Sequence, residues 1–289
     1  MTARAHLDTG PLRFVVRRAE RQAEYQLLLL ARSEIGVFTT LVVPMMLLLV
    51  LDLAGPHAGA SELHGMSYAS FITPAMITFA ILNACYVNVL TSVVMSREDG
   101  ILKRLHGTPM PLSSYVLGRM IAAAAVALLA VAVLLPVGTF GLGASLPASG
   151  LGELAGVVAL GVLVFTTVGV ALTSIVPRAD TALPIAFGTM LPLAFISGVF
   201  FPSEGTEPWL RRVGDAFPIA PIARSAARVF SSRGGSWPMT GTELGVLLGW
   251  LAGAAVVSTI AFRWQPGESV LRSLREAAPI PHRTRRAEP

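Results

Sequence analysis

FITPAMITFAILNACYVNVLTSVVM (71–95), SREDGILKRLHGTPMPLSSY (96–115) and VLGRMIAAAAVALLAVAVLLPVGTF (116–140) follow one another without a break. The first and third are 25 residues each. At about 1.5 Å per helical residue, either is long enough to cross a hydrocarbon layer of about 30 Å. The stretch between them holds most of the charge. The chain therefore crosses a membrane, presents a charged connector, and crosses back. Working outward, the same hydropathy reading places four more spans at 35–53, 151–176, 183–201 and 244–262. The expected fold is an all-α membrane protein with six transmembrane helices. Its domains are a tail at 1–34, a transmembrane domain at 35–262 and a basic tail at 263–289. The mixed basic and apolar segment 11–34 suits a helix lying on the membrane surface.

Composition agrees. Of 289 residues, 53% are hydrophobic and 13% charged, with a mean hydropathy of +0.66. That is about half the ~25% charge of a soluble domain, which excludes a soluble enzyme, a nucleic-acid-binding domain and a disulfide scaffold. The pI of about 10.1 comes from basic blocks that alternate with apolar runs, which is how orientation signals are distributed. With the amino terminus inside, seventeen of the 22 Lys and Arg lie at or beyond the inner ends of the spans, counting Arg119. The other five (Arg211, Arg212, Arg224, Arg228 and Arg233) share one outer stretch. Both termini are thus expected in the cytoplasm, and the chain in the cell membrane. The single cysteine, Cys85, allows no internal disulfide. The single lysine, Lys103, stands between Leu102 and Arg104 and not in a Gly-Lys-Ser/Thr context, so the chain has no phosphate-binding P-loop.

Catalytic and metal motifs are missing as well: there is no HExxH, GxSxG or CxxC, and the spacing of His57 and His64 around Glu62 reads as chance. No ionisable residue lies mid-span. Asp52 and Glu153 sit at span ends, which weighs against an ion-driven carrier. Polar groups of the second span, among them Asn83 and Asn88, form no single stripe. Asn83 and Asn88 are weak candidates for a substrate path, and interhelical hydrogen bonding is the plainer role. Gly241, Gly245, Gly249 and Gly253 recur every four residues before and along the last span, a face suited to close helix packing through Gly245, Gly249 and Gly253.

The connector carries a mechanism. Ser96 with Asp99 fits a capping box, and Glu98 and Asp99 favour a helix start. Ile101, Leu102 and Leu105 supply a short apolar face, and Gly107, Pro109 and Pro111 stop the helix. The expectation is a helix of about three turns over 96–106, shaped to dock in a groove on a partner.

REDGILKRLHGTPMPLSSYVLGRM (97–120) resembles the cytoplasmic signature of type-2 ABC exporter permeases. FISGVFFPSEGTEPWLRRVGDAFPIAPIARSAARVF (195–230) is similar to that family's end of the fifth span and its amphipathic extracellular return before the sixth. The most similar branch is that of the daunorubicin-resistance drug exporters. The resemblance implies a permease that forms a homodimer in membrane lipid, binds no cofactor or metal itself, and works with a separate ABC ATPase subunit that holds ATP and Mg. It also implies a cytoplasmic coupling helix, with Glu98, Asp99, Gly100, Lys103, Arg104 and Leu105 as ATPase contacts. A membrane-embedded transferase using Glu204, Glu207 or Asp215 and an ion-coupled carrier remain as alternatives. The Arg-rich outer stretch is expected to lie at the interface and not in the bundle.

Overall fold

In a computed structural model, residues 38–54, 62–63, 66–106, 112–200, 207–231 and 237–261 are described. Helices dominate. They are α1 (Val43–Ala54), α2 (Tyr68–Leu82), α3 (Asn88–Glu98), α4 (Ile101–His106), α5 (Leu112–Pro136), α6 (Gly150–Leu172), α7 (Ala179–Ile196), α8 (Pro208–Asp215), α9 (Ile219–Ser231) and α10 (Gly241–Ala261). A two-residue antiparallel ladder, β1 (Glu62–Leu63) with β2 (Met66–Ser67), precedes α2. Among the described residues, five helices are long and apolar enough to cross a membrane: Tyr68–Glu98, Leu117–Gly141, Gly150–Leu172, Ala179–Ile196 and Gly241–Ala261. A shorter apolar helix, Thr40–Ala54, falls on the first expected span. The chain is a multi-pass membrane protein. The expected surface helix at 11–34 and the tail at 263–289 lie outside the described residues.

The long helix Tyr68–Glu98 is the axis of the bundle, with 83% of its most apolar stretch buried, against 17% for Gly241–Ala261. It begins at Ser67, whose hydroxyl accepts from the Ser70 backbone N–H at 3.3 Å. A π-helical turn, Asn83–Val87, joins α2 to α3 and offsets the faces above and below it. The central position explains several of the scattered polar groups, which reach different neighbours. Tyr86 Oη meets Thr189 Oγ1 of α7 at 2.6 Å, Asn88 Nδ2 donates to Thr40 Oγ1 at 2.6 Å, and Ser70 Oγ meets Ser145 Oγ beyond α5 at 3.2 Å.

One close approach depends on a missing side chain. Gly138 lies in a second π-helical turn, Val137–Gly141, that ends α5, and a Cβ there would sit 2.2 Å from Thr73 Cγ2 and 2.9 Å from Thr73 Cβ. Gly138→Ala is therefore expected to destabilise by about 1–3 kcal/mol through overpacking. Adding Thr73→Ala should recover only part of the loss, because the Cβ clash persists; paired thermal melts in detergent check both.

The return before α10 is a V of two helices, α8 and α9. Nine residues of α9 are buried, among them Ile219, Ile222, Val229 and Phe230. Val229 faces Gly150 and Ile222 faces Gly161, with side-chain carbons 2.9 and 3.5 Å from where those Cβ atoms would stand. Gly150 and Gly161 are eleven residues apart on α6, so the contacts of α9 extend along about 16 Å of it. This corrects the expectation of an interfacial helix for α9, which is buried against α2 and α6. The apolar face of α9 is large enough to be buried between α2 and α6, and its arginines are neutralised as it enters.

Arg228 makes a two-pronged contact with Glu243, with Nη1 to Oε2 at 2.8 Å, and also donates to the Pro238 carbonyl. The hydrogen bonds that Arg228 donates to Glu243 hold its guanidinium above its ordinary pKa. Arg224 pairs with Asp215 at 2.9 Å and lies 3.6 Å from Glu243. Glu243 also closes a capping box on α10: its Oε2 accepts from the Thr240 N–H at 2.9 Å, while Thr240 Oγ1 accepts from the Glu243 N–H at 3.3 Å.

Candidate functional site

Three consecutive residues at the C-terminal end of α3 each hold a different helix. Successive residues on a helix point about 100° apart, so a run of three can reach three neighbours. Ser96 Oγ accepts from Arg119 Nη2 of α5 at 3.2 Å. Arg119 is itself buried, lies over the Tyr115 ring at 5.5 Å and donates to the Tyr115 hydroxyl. Arg97, 2% exposed, donates to the carbonyls of Thr173 at 3.0 Å, Pro177 at 3.4 Å and Val176. Those carbonyls close the C-terminus of α6. Glu98 accepts the Ala179 N–H at 2.9 Å, at the first turn of α7.

The signs are the favourable ones. A guanidinium meets the negative end of α6, and a carboxylate meets the positive end of α7. Arg178, the residue at the N-cap of α7, makes no side-chain cap, so Glu98 supplies from another helix what a Ser or Asp would supply locally. The turn 173–178 between α6 and α7 is thereby clasped to α3.

The expected capping box at Ser96 and Asp99 is not formed. Ser96 lies in the last turn of α3, where its hydroxyl donates to the Ser92 carbonyl at 2.7 Å, and Asp99 is the C-cap. Gly100 then takes φ +70, the left-handed conformation that ends helices and that only glycine adopts freely. The three-turn helix over 96–106 is therefore the end of α3 followed by the six-residue α4. Glu98 and Asp99 stand where α3 ends just before α4 begins, and Gly100 was the signal that the helix breaks there. Leu102 of α4 is buried, while Arg104, Asp99 and Glu98 are exposed beside an exposed Arg178–Asp180 ion pair of 2.9 Å. Gly100 is half-buried. Lys103 and Leu105 belong to α4, and their side chains lie outside the described residues.

The other candidates are scattered. Asn88 is committed to Thr40. Asn83 is fully buried, and neither polar atom of its side chain has a partner. The glycine face of α10 is exposed: among the described residues, a Cβ at Gly245, Gly249 or Gly253 would meet nothing within 4 Å. The helix packs on α6 through another face, with Glu243, Leu247 and Ala254 buried. Gly249 and Gly253 instead line an apolar groove of about 590 Å³ with Val168, Leu172, Trp250 and Val257. Among the described residues no group of three or more His, Cys, Asp or Glu could hold a metal. Asp215, one of the acids a transferase would need, is engaged by Arg224.

A bundle of apolar helices, in which a polar hub ties the end of α3 to three others beside a six-residue helix, is the fold of a membrane-embedded subunit. The model of the ABC-2 type transporter family matches residues 23–230. The chain belongs to that family and is a permease component of an ABC transporter, a membership that implies an ABC ATPase partner. No curated protein matches it.

Proposed function

We propose that the chain is the permease of an ATP-driven exporter, crossing the membrane six times with both termini inside and working as a homodimer. Its cargo is an amphipathic drug, antibiotic or lipid-like molecule, and hydrolysis of MgATP occurs on a separate ATPase. The observation that carries this reading is the hub. A push on α4 passes through the Gly100 turn into α3 and, from Ser96, Arg97 and Glu98, reaches α5, α6 and α7 together. A short helix that only connected two spans would need no such attachments. The absence of a P-loop in the sequence fits an energy source on another chain.

Asp99, Gly100, Lys103, Arg104 and Leu105 form the proposed ATPase contact, with Glu98 serving both that surface and α7. The test uses exposed residues, whose loss leaves the fold intact. Asp99→Arg combined with Arg104→Glu is expected to cut the ATPase activity that co-purifies from native membranes by about tenfold or more, close to 1.4 kcal/mol of binding. The apparent Tm should not change. Undiminished co-purification would place the contact elsewhere. Glu98→Gln is expected to keep the ATPase bound while lowering dye export per ATP, because the clasp on α7 weakens.

A further inference from the structure

Five outer arginines run against the charge bias of the rest of the chain, and the structure accounts for two of them. Arg224 and Arg228 are neutralised by Asp215 and Glu243. Arg211 and Arg212, on α8, are exposed, and no ion pair among the described residues reaches either. The same eight-residue helix exposes Trp209 (65%) and Val213 (41%). Its docked side is marked by Gly214, where a Cβ would stand 2.7 Å from the Ile196 carbonyl at the end of α7.

At about 100° per residue these positions fall on three sides of α8. Gly214 faces the protein, Trp209 and Val213 lie one turn apart on an apolar side, and Arg211 and Arg212 lie on a third side, with Asp215, whose carboxylate is taken by Arg224, between them. The apolar side continues an apolar exterior: Phe195, in the last turn of α7, is itself 51% exposed. Tryptophan favours the boundary between headgroups and acyl chains, and a helix with one apolar and one basic side lies along that boundary. The guanidinium fork matches the paired oxygens of a phosphate.

We infer that α8 binds anionic phospholipid of the outer leaflet, with Arg211 and Arg212 holding the headgroup phosphate while Trp209 and Val213 enter the acyl boundary. This rests on the proposed orientation with termini inside. It gives the unpaired arginines a partner of opposite charge where few cytoplasmic-type basic residues belong, and it fixes the outer end of the V to the bilayer that surrounds it.

The test isolates one of the four tryptophans. The purified chain is reconstituted in phosphatidylcholine vesicles with or without phosphatidylglycerol, each with brominated acyl chains. The Trp209 signal is the difference between the wild type and Trp209→Phe. Quenching of that signal is expected to rise several-fold with phosphatidylglycerol, and the rise should disappear in Arg211→Gln/Arg212→Gln and shrink at high salt. Quenching that is indifferent to phosphatidylglycerol, or quenching by aqueous iodide instead of bromolipid, overturns the inference. So does soluble glycerol phosphate reproducing the shift in phosphatidylcholine alone, which would make the site one for free phosphate. Orientation is read separately, by an impermeant maleimide on Ser231→Cys in intact cells, since the native Cys85 is buried. Labelling only after the cells are opened would sink the orientation without touching the vesicle result.

Discussion

Arg97→Met is expected to cost about 3–5 kcal/mol of stability, since each buried acceptor left without a donor costs about 1–3 kcal/mol. The side chain is 2% exposed and serves the carbonyls of Thr173, Val176 and Pro177. Met fills a similar volume but donates nothing, so three carbonyls at the negative end of α6 lose that donor in a site that water does not readily reach. For a chain of this size each kcal/mol corresponds to about 2–4 °C, so the apparent Tm in detergent should fall by about 10 °C. Arg97→Lys separates charge from geometry. A lysine keeps the favourable sign at the helix end, but its single ammonium cannot span three acceptors and should recover less than half of the loss. A Met variant as stable as the wild type would show that the α6–α7 turn is held by packing alone.

Glu243→Ala should give the second largest loss, about 2–3 kcal/mol. The carboxylate is 8% exposed, but its partner Arg228 is 38% exposed, which places the pair below the fully buried range. Two functions go together: the capping box that starts α10 and the charge that admits Arg224 and Arg228 into the outer half of the bundle. Glu243→Gln divides them. The amide oxygen can still accept from Thr240 while the charge is gone. If capping dominates, Gln should restore most of the melting temperature; if neutralising the arginines dominates, Gln should behave like Ala. The second outcome is expected, since a cap contributes about 1 kcal/mol. Limited proteolysis of the 231–240 connection offers an independent readout, as a loosened α9 should be cut sooner.

The spans were legible because hydropathy is a local property. A run of apolar residues in lipid must close its own backbone hydrogen bonds, so 71–95 is helical whatever surrounds it. The five long helices, the shorter apolar one before them and the charged connector all follow from that constraint. The hub was not legible. Ser96, Arg97 and Glu98 read as the start of a loop helix, and the partners of Arg97 and Glu98 lie some eighty residues away, at Thr173, Val176 and Ala179. Nothing in the local pattern announces an arginine that caps one distant helix beside a glutamate that caps another.

The outer return shows the same division. Its amphipathic pattern was visible, but whether the apolar face of α9 met lipid or protein depended on the space between α2 and α6. The glycine repeat of α10 was equally plain in the sequence, yet that face of the helix is left exposed. Composition and periodicity by themselves determined a multi-pass helical membrane protein with a charged connector between two spans, because each is a sum over neighbours in the chain. Only the tertiary structure decided which charges are buried, which helix ends they cap and which arginines stay exposed, because those depend on residues that meet only when the helices pack.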